Sequence, residues 1–315
     1  VSDRDLAAAT DSLVQAALRA GLSPGFGVSV VRNGRVIWQQ AYGYADASAK
    51  IRASNNTRWY VASTSKSFTG FAMALLDDVE QLPAIRPAGR QALIYSNVGY
   101  NIAGMILDRR SAAGWRRVLD SAVFAPAGMR HTRATLSSVP RRQLALPHTV
   151  STATGIAWRT VSFDKRDATM HAAGGHVATL DDLSRWVRVQ LDTGVLDGRV
   201  IFPTSAIRRA HTLIAAHTEQ RGKRYAYFDR EGWGAGWDLG SYEGAPMVSR
   251  FGGYATMRSH LSFLPSRRIG VVAMANGGLG SALTDLVAAF VYDLDAGRPD
   301  ARSRATQRLD SLRAL

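Results

Sequence analysis

Val28-Ser29-Val30-Val31-Arg32-Asn33-Gly34-Arg35-Val36-Ile37-Trp38-Gln39-Gln40-Ala41-Tyr42 reads as two strands joined by a two-residue turn. Asn-Gly is the pair that best tolerates the positive φ of a type I′ turn, and β-branched and aromatic residues crowd both flanks. The pattern predicts strands over residues 28–32 and 36–42. Near the other end of the chain, residues 260–264 and 269–275 flank Pro265-Ser266-Arg267-Arg268, which predicts a second hairpin. Ahead of the first hairpin, Leu6, Ala9, Leu13, Ala16, Ala17 and Ala20 recur at helical spacing over residues 3–20, and Gly21 and Pro24 end that helix. Behind the second, residues 283–294 form an apolar closing helix. The patterns between the two ends are mainly helical, over residues 67–76, 97–108, 115–123 and 180–191. Hairpins at both ends with helices between them predict an α/β (α+β) fold. One antiparallel sheet is built from both chain ends and flanked by helices, and a mostly helical lobe is inserted. The expected division is residues 1–62 with 230–315 for the sheet domain and 63–229 for the inserted domain.

Composition narrows the function. Of 315 residues, 46% are hydrophobic and 20% charged, which is ordinary for a globular chain and excludes disorder and repeat architectures. Apolar runs such as 271–275 fall far short of the ~20 residues a spanning helix needs, so no transmembrane segment is expected. Cysteine is absent, which excludes disulfides, thiolate metal sites and a cysteine nucleophile. A first residue of Val1 in place of Met hints at processing. The net charge of +14 is carried by arginine, because lysine occurs only at Lys50, Lys66, Lys165 and Lys223. No basic run is interleaved with aromatic residues, so no nucleic-acid partner is expected. Arg208-Arg209 and the run 221–224 read as solvated surface, as do Asp77, Asp78 and Glu80 at a helix end. His171 and His176 are too isolated for a metal site, and neither a phosphate-binding glycine loop nor a Gly-x-Ser-x-Gly elbow occurs. No metal and no cofactor are expected. Trp59, Tyr60, Trp158, Trp233, Trp237 and Tyr254 suit either a pocket wall or a core.

Ser63-Thr64-Ser65-Lys66 sets a hydroxyl and an amine three residues apart, and on a helix such positions share a face. The spacing alone is common, and Ser162-Phe163-Asp164-Lys165 repeats it. Context separates the copies. Ser63 stands at the head of an apolar-periodic helix, where free backbone N–H groups and the helix dipole favour a developing oxyanion. Ser162 is followed by Asp164, Lys165, Arg166 and Asp167 and reads as a loop. An ordinary helix cap would also put a serine at position 63. Tyr95-Ser96-Asn97, at the head of another helix, adds a phenol and an amide and turns the balance toward catalysis.

Several segments occur in a telling order: Pro24-Gly25, Val61-Ala62-Ser63-Thr64-Ser65-Lys66-Ser67-Phe68-Thr69 and Tyr95-Ser96-Asn97-Val98-Gly99-Tyr100-Asn101, then Ala173-Gly174-Gly175-His176-Val177-Ala178-Thr179 with Asp182-Leu183, and Gly234-Ala235-Gly236-Trp237. With these the chain resembles the serine β-lactamase and penicillin-binding-protein superfamily, nearest its branch of class C β-lactamases, D-alanyl-D-alanine carboxypeptidases and esterases. The resemblance covers most of the chain. It implies that Ser63 is a nucleophile forming an acyl-enzyme, that Lys66 and Tyr95 share its proton, and that Asn97 orients substrate. The backbone N–H groups of Ser63 and Gly253 are the implied oxyanion hole. The implied substrate is a small molecule or peptide, cell-wall-derived compounds included, and the implied location is the periplasm or outside the cell.

The chain departs from the family in two places. The family's third motif, Lys-Thr-Gly or His-x-Gly, falls on Arg250-Phe251-Gly252, and these three are the expected substrate-binding residues. Arg250 keeps a positive charge suited to a carboxylate, while Phe251 removes the usual hydroxyl. Esterase or D-amino-acid peptidase activity is therefore expected ahead of β-lactamase activity. A permanent charge ~4 Å away at an effective dielectric near 20 is worth roughly 4 kcal/mol, so Arg250 beside Lys66 would disfavour its ammonium form. The second departure is the connection 77–94, which is shorter than the family usually has. Two other functions fit the same residues: a penicillin-binding sensor or cell-wall-binding module that acylates with little turnover, and an inactive scaffold holding an anionic polymer.

Overall fold

A computed structural model describes residues 1–76, 95–151, 157–217 and 227–314. The helix end at Asp77, Asp78 and Glu80, the connection 77–94 and the basic run 221–224 lie outside those residues. The helices are α1 (Asp3–Arg19), α2 (Ser65–Leu75), α3 (Val98–Arg110), α4 (Gly114–Leu119), α5 (Leu180–Leu191), α6 (Thr204–Ala210), α7 (Gly280–Asp295) and α8 (Ala301–Arg313). One large sheet is made by β1 (Gly25–Arg32), β2 (Arg35–Asp46), β3 (Ile51–Arg52), β4 (Ala215–Ala216), β5 (Asp229–Trp233), β6 (Asp238–Tyr242), β7 (Ala245–Tyr254), β8 (Met257–Leu264) and β9 (Ile269–Ala275).

The strand order is β4-β5-β6-β7-β8-β9-β1-β2-β3, antiparallel throughout. The two chain ends meet inside the sheet, with Val30 of β1 opposite Val271 of β9. The fold is thus the α/β arrangement expected from the two hairpins. Asn33 and Gly34 have φ of 50° and 74°, the left-handed pair that a type I′ turn requires.

Both faces of the sheet centre are covered, which explains the unbroken apolar run of β9. Its alternate residues serve two cores. Ile269, Val271, Ala273 and Ala275 pack with α1, α7 and α8, while Val272 and Met274 pack with α2 and α5. Helix starts follow from local chemistry: Ser2 caps α1 by accepting from the Asp5 N–H, and Thr179 caps α5 by accepting from the Asp182 N–H.

The structure adds elements that the patterns did not predict. The helix after β9 does not close the chain, because α8 follows it and buries Ala301, Ala305, Leu309 and Leu312. Those small and apolar residues are spaced for one helical face, but arginines at the intervening positions mask the stripe. Strands β5 and β6 and helix α6 are likewise new. A short hairpin, His148–Ser151 with Ala157–Thr160, interrupts the helical region. Among the described residues no helix is long and apolar enough to cross a membrane.

One detail of the sheet shapes the site. β6 pairs with β7 only as far as Asp238 opposite Ser249, whereas β8 pairs with it to Tyr254. Among the described residues, no strand pairs with 250–254 on the β6 side, which leaves an open sheet edge there.

Candidate active site

Ser63 lies in a 3-10 turn, Ala62–Thr64, that runs directly into α2. Ala62 takes φ of 46°, a left-handed conformation that costs a residue with a Cβ roughly 1–2 kcal/mol. The surroundings hold the turn in that shape. Ser259 of β8 donates from Oγ to the Val61 carbonyl at 2.7 Å, and its Oγ lies 2.8 Å from Thr64 Oγ. The backbone of β7 comes so close that a Cβ on Gly252 would stand 2.2 Å from Val61 O and 3.0 Å from Ser63 N. On the other side of α2, a Cβ on Gly236 would stand 2.1 Å from Lys66 O, and one on Gly70 would stand 2.4 Å from Ala235 O. The Gly234-Ala235-Gly236-Trp237 segment is therefore a backbone-to-backbone seat for the helix carrying Lys66.

Five of the expected side chains converge. Lys66 Nζ lies 3.1 Å from Ser63 Oγ, and the Tyr95 hydroxyl donates to the same oxygen at 2.8 Å. Lys66 also donates to Asn97 Oδ1 and to the Ala173 carbonyl, both at 2.7 Å. Arg250 donates from Nε to the Ser63 carbonyl at 2.9 Å and from a terminal nitrogen to the Tyr95 hydroxyl oxygen at 3.2 Å. Its other terminal nitrogen faces Asp238 at 3.3 Å. Arg250 is thus engaged with the protein on all three nitrogens and braces the Ser63 turn. Gly252 meets the turn through its backbone, and Gly253 follows it along the open edge.

Phe251 goes elsewhere. Strand alternation turns its ring to the opposite face, where it stacks on Phe228 at 6.2 Å and meets His260 at 4.8 Å. A cavity of about 580 Å³ opens beside Ser63 and Tyr95, follows residues 250–254, and ends at Arg258 and Asp285. Phe251 forms part of its wall.

Burial, and then the neighbouring Arg250 charge, push the Lys66 ammonium down to about 6. Burial outranks the guanidinium because Lys66 is fully enclosed while Arg250 is partly balanced by Asp238. Asp238 itself is buried between two arginines, Arg250 and Arg230. Sequence reasoning missed it. It directly follows the Gly234 to Trp237 segment, and an acid beside a buried aromatic was the available signal. The Ala173 carbonyl was missed too, since a backbone acceptor leaves no mark in residue type. It is presented by a tight turn in which the His171 carbonyl accepts from the N–H groups of Gly174 and Gly175, and Asn101 Oδ1 accepts from the Ala173 N–H at 3.2 Å.

The other candidates separate. Ser162 donates to the Asp164 carboxylate on an exposed loop. His176 is caged by Phe68, Trp115 and Phe124, and burial pushes it down to about 3.

The chain belongs to the beta-lactamase family, whose model matches residues 10–82 and 74–292. Among curated proteins, it is 38% identical over 66 residues to Protein flp of Staphylococcus aureus, covering 21% of this chain and 13% of that protein. It is 24% identical over 202 residues to Penicillin-binding protein 4 of Amycolatopsis lactamdurans, covering 64% of this chain and 51% of that one. The chain thus spans at most about half the length of these relatives. In fold it is similar to the octameric penicillin-binding protein homologue from Pyrococcus abyssi, with a TM-score of 0.74 at 16% identity, over 91% of this chain and 77% of that one.

Proposed function

We propose that the protein is a serine hydrolase that forms an acyl-enzyme on Ser63 and hydrolyses an ester or amide. The observation that carries this reading is the meeting of Ser63 Oγ, Lys66 Nζ and the Tyr95 hydroxyl within hydrogen-bond distance at the mouth of a cavity.

The contact lengths support a definite proton path. A neutral amine has two N–H groups and one lone pair. The two 2.7 Å contacts of Lys66 go to oxygens that can only accept, Asn97 Oδ1 and Ala173 O, so the lone pair is left for the Ser63 hydroxyl proton at 3.1 Å. Arg250 donates to Tyr95, Tyr95 donates to Ser63, and Ser63 donates to Lys66. In acylation, Ser63 Oγ attacks the carbonyl carbon as its proton passes to Lys66, and Tyr95 donates to the leaving atom. The oxyanion that forms is taken by the N–H groups of Ser63 and Gly253. Losing one such donor typically costs ~3–4 kcal/mol of transition-state stabilisation. The same Lys66 and Tyr95 pair then activates water to release the acyl group.

Phe251 in place of a hydroxyl, and an Arg250 already held by Asp238, favour esters and D-amino-acid peptides over β-lactams as turned-over substrates. A periplasmic or secreted location belongs to the same proposal and is supported by family likeness.

The test is mass spectrometry of the protein after mixing with penicillin and with an activated ester. The expected outcome is a transient ester-derived adduct on Ser63 that Ser63→Ala lacks, together with loss of turnover in that variant. A persistent adduct on Ser63 would make the protein a sensor or binding module. Full ester turnover by Ser63→Ala would overturn the assignment.

A further inference from the structure

The cleft has two ends, and β7 tells them apart. Arg250, Gly252 and Tyr254 point to one face of the strand, with Arg250 against Tyr95 and Gly252 against the Ser63 turn. Tyr254 stands beyond them in the cavity wall. Because Tyr95 serves the leaving atom in the mechanism proposed above, the leaving group lies at the Arg250 end. The acyl chain then runs from Ser63 toward Tyr254.

Against the Tyr254 ring lies Lys165, a cation with no carboxylate partner among the described residues. Tyr60, Phe163 and Tyr254 form an edge-to-face cluster, with ring centroids 5.3 Å apart for Tyr60 and Tyr254 and 5.4 Å for Tyr60 and Phe163. Lys165 Nζ lies 4.4 Å from the Tyr254 ring centroid and 5.8 Å from that of Tyr60. Among the described residues no carboxylate pairs with it. The adjacent Asp164 accepts from Ser162, and Asp167 accepts from Ser137. The cavity wall itself is weighted toward positive charge, with Arg230, Arg250 and Arg258 against Asp238 and Asp285.

We infer that the cleft takes an acyl donor bearing a carboxylate at the far end of its acyl chain, and that Lys165 is the residue that recognises it. The inference rests on the hydrolase reading above and names its substrate class. From Gly252 to Tyr254 is two strand residues, ~7 Å, about the reach of a short dicarboxylic acid esterified at one end. Tyr254, backed by Tyr60 and Phe163, would pack against its methylene groups, and the ammonium over the Tyr254 ring would meet the terminal carboxylate.

The experiment compares p-nitrophenyl esters of identical leaving group and chain length, the glutarate hemiester and the pentanoate. The expected kcat/KM ratio favours the hemiester, and Lys165→Met lowers that ratio roughly tenfold, the worth of one charge-assisted hydrogen bond at a partly screened site. Lys165→Arg retains the preference and Lys165→Glu reverses it. A second readout needs no turnover: glutarate monoanilide binding to Ser63→Ala, measured by calorimetry, weakens when Lys165→Met is added. A ratio and a binding constant that both ignore position 165 overturn the inference. Failure of the hydrolase reading looks different, as ester turnover that survives Ser63→Ala.

Discussion

At the scale of the residue, the deciding group is Lys66. Its amine is buried, and Arg250 adds a like charge, so the ammonium is pushed down to about 6 and the amine is neutral at neutral pH, as the proposed role of base requires. The sign follows directly: below that value the amine is protonated and has no lone pair for Ser63. The rate under kcat/KM conditions is therefore expected to fall as pH drops through about 6. Arg250→Met removes the smaller of the two causes and should move this acid limb to higher pH. A pH–rate profile with p-nitrophenyl pentanoate checks both, and an unmoved limb would mean that burial alone sets the amine. Ser63 and Lys66 could be picked out of the sequence because a fixed spacing on a helix guarantees proximity. Asp238 and the Ala173 carbonyl could not, because their approach to Arg250 and Lys66 is made by segments distant in the chain.

At the scale of the element, the site depends on how closely backbones approach. β7 lies against the Ser63 turn only because Gly252 has no side chain there. Gly252→Ala would drive a Cβ into Val61 O and Ser259 Oγ, so β7 and the turn must part. Overpacking of this kind costs about 1–3 kcal/mol. The expected result is a lower midpoint in chemical denaturation together with a larger loss of ester turnover than the stability change alone would produce. The β1–β2 hairpin was legible from Asn33-Gly34, and α5 from the helical pattern over residues 180–191, because local spacing and turn chemistry set both. β5 and β6 were not legible, since Gly232 and Gly240 break the alternation that marks a strand and the segment between the strands adds Gly234 and Gly236. All four glycines are required by neighbours: Gly232 by Ala215, Gly234 by Ala210, Gly236 by Lys66 and Gly240 by Asp229, each at under 2.5 Å from a Cβ that is absent.

At the scale of the whole molecule, α8 is a cover for α7 whose role is stability. Leu309 and Leu312 are buried with Ala301 and Ala305, and Arg298 and Arg304 both reach Glu243 at the β6–β7 turn. Removing the chain after Gly297 takes away two buried leucines and two buried alanines and uncovers the apolar surface of α7 beneath them, a loss on the order of 5 kcal/mol at ~25 cal/mol per Å². The shortened protein should melt at lower temperature, yet below its transition Ser63 should still be labelled by an activated ester, because α8 packs in the core on the other side of the sheet from α2 and meets the cavity wall through Arg308 over the Tyr227 ring. Loss of labelling in the folded, shortened protein would tie α8 to the cleft. The sequence by itself determined the hairpins, most helices of the middle region, the family likeness and the Ser63, Lys66 and Tyr95 set. Each of these is written in local spacing, turn chemistry or motif order. Only the tertiary structure decided that Arg250 is held by Asp238 and braces the Ser63 turn, that Phe251 turns away from it, and that Lys165 lies over the Tyr254 ring. Those facts depend on which strand edges stay unpaired and which backbones touch, and distances across a fold are set by packing that no single segment encodes.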